Sequence, residues 1–171
     1  MQHIMLDLET VDTAPTSAIV SIGAVYFCPE TKKLGREFYQ PVNVNSCYKL
    51  GLTKSEKTLD WWQTQSVEAR RVFIDNDRVN LGYALNEFSV FTDKGCYVWG
   101  NGAAFDNAIL ANAYNVLGLA TPWKFYNDRC YRTIRTLLPE SMDRIGIHHN
   151  ALDDAKTQAT HLMNFGAVYV L

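Results

Sequence analysis

Apolar and polar positions divide the chain into a strand-rich beginning and a helix-rich remainder. His3 to Leu8 and Ile19 to Phe27 read as strands. The run Ser21-Ile22-Gly23-Ala24-Val25-Tyr26-Phe27 is apolar and rich in β-formers, as a strand in a sheet interior requires. Pro29 to Gly35 makes a turn, and Arg36 to Val42 reads as a third strand. Three strands joined by short links predict an antiparallel meander.

Helical spacing follows. Thr53 with Glu56 has capping-box spacing ahead of Lys57 to Gln65. Val67 to Ile74 and Leu81 to Phe91 are helical, the latter with Asn80 placed to cap it. Cys96 to Gly100 is a short apolar strand, and Ala103 to Leu117 a helix that ends at Gly118. Lys124 to Tyr126 reads as a strand, Asp128 to Leu138 as a helix stopped by Pro139, and Ala151 to about Val168 as the last helix. Strands first, then helices interleaved with single strands, predict an α/β fold: a mixed sheet flanked by helices.

Composition narrows the class. A chain of 171 residues, 47% hydrophobic, fits one globular domain over 1–171 with a substantial core. The net charge of -2 gives no global basic footprint. That weighs against a high-affinity, non-specific nucleic-acid-binding module. It does not weigh against an enzyme that meets its substrate briefly and recruits cations to offset phosphate charge. No signal peptide and no transmembrane run is read, and Cys28, Cys47, Cys96 and Cys130 form no CxxC pair. A cytoplasmic protein with reduced thiols and no membrane partner is expected.

The candidate chemistry lies in three segments. In Leu6-Asp7-Leu8-Glu9-Thr10, residues two apart share a strand face, so Asp7 and Glu9 point the same way. Two adjacent carboxylates repel unless a cation lies between them. An exposed edge strand would also tolerate them, but the apolar make-up of this strand favours the sheet interior. Asp106 falls in the first turn of a helix, on the apolar stripe of Ile109, Leu110 and Ala113. A helix-dipole role, worth roughly 0.3–1 kcal/mol, explains an acid in that turn but not its place on the buried stripe. In His148-His149-Asn150-Ala151-Leu152-Asp153-Asp154, Asn150 is a good N-cap and Asp153 a capping-box-like acid. Asp154, beside Ala151, Ala155 and Gln158, can face the sheet past small side chains. His149 lies in the loop before this helix; plain exposure is the reading for His148.

Four carboxylates bind two hard divalent ions, Mg²⁺ or Mn²⁺, through oxygen. Two such ions about 4 Å apart suit an in-line phosphoryl displacement. A neutral imidazole nearby can take a proton from the attacking water.

These segments resemble the motifs of the DnaQ-like (DEDDh) exonucleases of the RNase H-like superfamily: Asp7-x-Glu9, Asn101-x3-Phe105-Asp106, and His149-x4-Asp154-Ala155. The five-residue step supports His149 and Asp154 over His148 and Asp153. Within the superfamily, Asp60-Trp61-Trp62, Ser66 to Arg70 and Cys130-Tyr131-Arg132-Thr133 resemble the small Rv2179c-like (RNase AS-type) 3′-5′ exoribonucleases and related phage exonucleases. The resemblance implies an RNase H-like, five-stranded mixed sheet whose first three strands are antiparallel. It implies metal ligands Asp7, Glu9, Asp106 and Asp154, with His149 and Glu9 catalytic. It also implies a single-stranded nucleic-acid 3′ end as partner and 5′-mononucleotides as products.

Thr10 would hold the terminal nucleotide, and Phe105 would wedge or stack on a base. Trp62 either stacks or packs in the core. Arg132 either meets a phosphate or is surface charge. The family likeness is compatible with a homodimer, which no sequence feature demonstrates. Two rivals stand: an inactive nucleic-acid-binding module of the same fold, and an oligoribonuclease-like enzyme acting on very short oligonucleotides. RNA and DNA are not distinguished.

Overall fold

The most continuously buried segments form the middle of the sheet. The computed structural model describes residues 2–138 and 142–165. Strand β1 (His3–Thr10) is central, with β2 (Ile19–Cys28) antiparallel on one side and β3 (Lys33–Pro41) antiparallel beyond it. On the other side β4 (Tyr97–Gly100) and β5 (Asp128–Cys130) run parallel to β1, giving the order β3-β2-β1-β4-β5. The sheet is mixed and five-stranded, as expected. Because β1 is central, the exposed-edge explanation for Asp7 and Glu9 is removed.

The helices are α1 (Val44–Tyr48), α2 (Glu56–Gln63), α3 (Val67–Arg70), α4 (Leu81–Phe91), α5 (Asp106–Val116), α6 (Tyr131–Arg135) and α7 (Ala151–Phe165). Short 3-10 turns occupy Arg71–Phe73 and Phe125–Asn127. Among the described residues no helix is long and apolar enough to cross a membrane.

Strand alternation assigns the two faces of the sheet. Ile4, Leu6 and Leu8 join Ile22, Ala24 and Tyr26 in a core under α4 and α5, with Leu85, Phe88, Ile109 and Leu110. Met5, Val25, Phe27 and Trp99 form the opposite core, closed by Ala155, Ala159 and Leu162 of α7. Asp7 and Glu9 continue the Met5 face, so they point toward α7. Small residues bring that helix close. Asp7 pairs with Gly23, and a Cβ on Gly23 would fall 2.1 Å from the carbonyl carbon of Ala151.

Strand β4 ends at Gly100, opposite Leu6, so the amide of Leu8 has no partner on that strand. The carboxylate of Asp106 accepts from it at 3.2 Å. A cleft therefore opens at the carboxyl ends of the parallel pair β1 and β4, as in other open α/β sheets.

Several expected elements differ. Lys124 to Tyr126 is not a strand; β5 follows it at Asp128–Cys130, and the helix read over Asp128 to Leu138 shrinks to α6. Asp128 carries the reason. Its Oδ1 accepts from Asn107 Nδ2 at 2.8 Å and Trp123 Nε1 at 2.7 Å, which draws the segment alongside β4. The Thr53 capping box is also absent. Thr53 donates its hydroxyl to Asp12 at 2.7 Å, and Ser55 is the N-cap of α2. The helix expected from Ala103 begins at Asp106, and Val67 to Ile74 divides into α3 and a 3-10 turn. Asn80 caps α4 through the Tyr83 amide, as expected. Gly118, at φ +67°, ends α5 with amide bonds from Gly118 to Asn115 and from Leu119 to Tyr114. The stop at Pro139 and the extension of the last helix to Val168 lie outside the described residues.

Gly23→Ala should drive the first turn of α7 off β2. The expected cost is roughly 1–3 kcal/mol, the usual penalty of overpacking, read from the midpoint of urea unfolding.

Candidate active site

Each acid of the site reaches the cleft by a different local device. Asp7 and Glu9 stand on consecutive inward positions of β1, which ends in a register shift between Glu9 and Thr10. Asp106 opens α5, where Gly100 leaves space: a Cβ there would lie 3.0 Å from that of Asp106. Asp154 is brought in by α7, whose cap is Asn150; Asn150 Oδ1 accepts from the amides of Leu152 and Asp153, each at 3.1 Å. Asp153 accepts instead from Ile147 N at 2.8 Å and stays outside the cleft. The cleft has a volume of about 570 Å³ and is lined by all four acids and His149.

The acids are buried: Asp7 is 8% exposed, Glu9 6%, Asp106 2% and Asp154 9%. One oxygen each of Asp7, Glu9 and Asp154 lie within 4.8 Å of one another. Burial, then the charges of Asp106, Glu9 and Asp154, push the Asp7 carboxyl well above the usual range. Burial and the charges of Asp154 and Asp106 do the same to Glu9. Burial raises Asp106 to about 7 despite its bond from Leu8 N and the nearby charge of Arg132. Asp106 Oδ2 is buried with no hydrogen-bond partner among the described residues. A hard divalent cation fits this set. It would relieve the repulsion and coordinate the orphaned oxygen, and every donor is a carboxylate.

Neighbours orient the acids. Gln158 Nε2 donates to Asp7 Oδ1 at 2.7 Å. Asp154 Oδ2 accepts from His149 N at 2.9 Å, and its Oδ1 pairs with Arg144 Nη1. His149 has φ +62°, a left-handed conformation uncommon for a residue with a side chain. Its ring lies 4.8 Å from that of Trp61 and stacks on His148 at 3.7 Å. Burial, then the adjacent His148, lower its pKa, which favours the neutral imidazole.

The residues read as substrate contacts separate. Thr10, Phe105 and Arg132 line the cleft. Trp62 does not. It is 2% exposed, packs on Phe73, and donates Nε1 to the carbonyl of Thr10 at 2.8 Å. Of the two expectations for Trp62 the structure shows core packing, and Trp61, 42% exposed, is the tryptophan on the cleft wall. The sequence reading also missed Arg144 and Arg135, which line the cleft, and the contact of His148 with His149. Adjacency to His149 was the available signal for His148. Arg144 sits in an irregular segment that offers none.

Three solved structures share this architecture. E. coli exonuclease I in complex with a dT13 oligonucleotide matches with TM-score 0.63 and 14% identity, over 95% of this chain and 40% of that one. Exonuclease X in complex with 5′ overhanging duplex DNA matches with TM-score 0.59 and 16% identity, over 95% and 89%. The nuclease domain of 3′hExo, a DEDDh family member bound to rAMP, matches with TM-score 0.59 and 15% identity, over 95% and 90%. The chain thus spans about two-fifths of exonuclease I but most of the other two. No curated protein matches in sequence. The fold is thus that of a class of nucleases with this mixed five-stranded sheet. Within that class, the chain belongs to the Rv2179c-like family of 3′-5′ exoribonuclease domains, whose model matches residues 2–165.

The raised carboxyls predict a pH-dependent stability. Folding favours their protonated forms, so this stabilisation is fully present below about pH 4 and is lost as pH rises through the folded value, about 7 for Asp106. In EDTA the thermal midpoint should fall across that window, and fall less in Asp106→Asn. Mn²⁺ should raise the midpoint near pH 7.5 and hardly at all near pH 5, where protons hold the same oxygens.

Proposed function

We propose that this cleft hydrolyses the terminal phosphodiester of single-stranded nucleic acid from the 3′ end and releases 5′-mononucleotides. The observation that carries the reading is the convergence of four buried acids and one half-buried imidazole in one cleft. The family description supports RNA as the substrate.

Asp7, Glu9, Asp106 and Asp154 would hold two divalent ions, Mg²⁺ or Mn²⁺. These would supply Lewis-acid stabilisation of charge on the phosphate oxygens. The protein's own residues do the rest. His149 accepts the proton of the attacking water at its ring nitrogen, a task that needs the neutral form. Its ring is held by Trp61, and its backbone amide by Asp154, so base and acid move together. Glu9 fills two roles, metal ligand and catalytic carboxylate beside the reacting phosphate. Thr10 lies next to it with its carbonyl fixed by Trp62, and gives the terminal nucleotide a rigid floor. Phe105 and Trp61 offer aromatic faces to unstacked bases. Arg132 and Arg135 give positive charge to a phosphate in a protein that is otherwise slightly acidic.

The test is digestion of matched 5′-labelled RNA and DNA oligomers in a length series with Mg²⁺, Mn²⁺ or EDTA. A descending ladder is expected with either metal, none with EDTA, and faster decay of RNA. Asp7→Ala should abolish the ladder; surviving activity would refute the acid assignment. Cleavage confined to dinucleotides would favour an enzyme of very short oligonucleotides. His149→Ala should lower kcat by roughly 10²–10⁴-fold and remove the acidic limb of the pH profile.

A further inference from the structure

Asp154 differs from the other acids of the cleft in how its oxygens are engaged. Both are occupied: Oδ2 by the amide of His149 and Oδ1 by the guanidinium of Arg144. Asp7 and Asp106 each have one bonded oxygen, and Glu9 has none among the described residues. Arg144 lies on the cleft wall, with its side chain 37% exposed against 12% for Asp154. Its backbone neighbour is anchored, since Ile145 N donates to Thr157 Oγ1 of α7 at 2.9 Å. The side chain therefore starts from a fixed backbone. A guanidinium has five N–H donors, and Arg144 makes one hydrogen bond among the described residues.

Building on the metal reading above, we propose that Arg144 is a positioning residue that competes with a divalent cation for Asp154 and, once displaced, turns its guanidinium to a substrate phosphate. A carboxylate oxygen that holds a guanidinium cannot also take a divalent ion without setting two positive centres side by side. The released guanidinium faces the cleft near Arg132 and Arg135, and its fork matches a phosphate better than any other side chain. Cation entry and phosphate capture are then linked through one side chain.

The competition gives a signature that a merely structural role would not: loss of the arginine changes metal and substrate binding in opposite directions. In the full chain, Arg144→Gln should bind Mn²⁺ roughly three- to tenfold more tightly by calorimetry without substrate. Its KM for a 5′-labelled oligoribonucleotide at saturating Mn²⁺ should rise, with less change in kcat. Arg144→Lys keeps the charge but not the fork, so its Mn²⁺ affinity should stay near wild type while KM rises in part. Circular dichroism verifies that each variant is folded. Equal or weaker Mn²⁺ binding by Arg144→Gln overturns the competition, and an unchanged KM overturns the hand-over to phosphate. Asp154→Asn separates the levels. If it binds Mn²⁺ as wild type does, the metal reading itself falls. If it loses binding while Arg144→Gln is unchanged, only the role of Arg144 falls.

Discussion

Asp7, Glu9, Asp106 and Asp154 sit in one cleft, each less than a tenth exposed, where their mutual repulsion is strongest. Isolated charges of this kind are expensive to bury, and no local propensity favours gathering them. The surrounding structure has to hold them together. It does so with rigid backbone: a central strand, the first turn of α5 and the first turns of α7. The apolar cores on the two faces of the sheet supply the stability that the acids withdraw.

Close approach is the means. Gly23 lets α7 rest on β2 beside Asp7, and Gly100 lets Asp106 reach the unpaired amide of Leu8. The alanines of α7 leave the helix flush with the sheet. Polar cross-links then fix the pieces. Gln158 joins α7 to β1, and Asn107 joins α5 to both β4 and β5 through Val98 O and Asp128. Glycines and amides thus set the acid-to-acid distances more than the acids do.

What the sequence revealed follows from periodicity. The meander, the shared face of Asp7 and Glu9, the stripe carrying Asp106 and the cap at Asn150 all rest on regular spacing, and each reappears in the structure. The misreadings fall where tertiary contacts overrule local pattern. Strand β5 is three residues with no apolar alternation, paired because Asp128 is held by α5 and Trp123. Thr53 has the spacing of a cap but is taken by Asp12. Trp61 and Trp62 are adjacent on one helix, so only the packed fold decides which is buried. The sheet and the acids were therefore legible, while the cleft wall, made of Trp61, Arg135 and Arg144, was not.

The bond from Gln158 to Asp7 spans 151 residues of chain. Contacts of that separation form late, because closing so long a loop is entropically unfavourable until intervening structure has shortened it. The cleft is divided in the same way, with two acids on β1 and the fourth acid and the imidazole beside α7. The first three strands alone therefore carry half of the acids. Completing the acid cluster depends on the docking of α7, the last helix of the described residues.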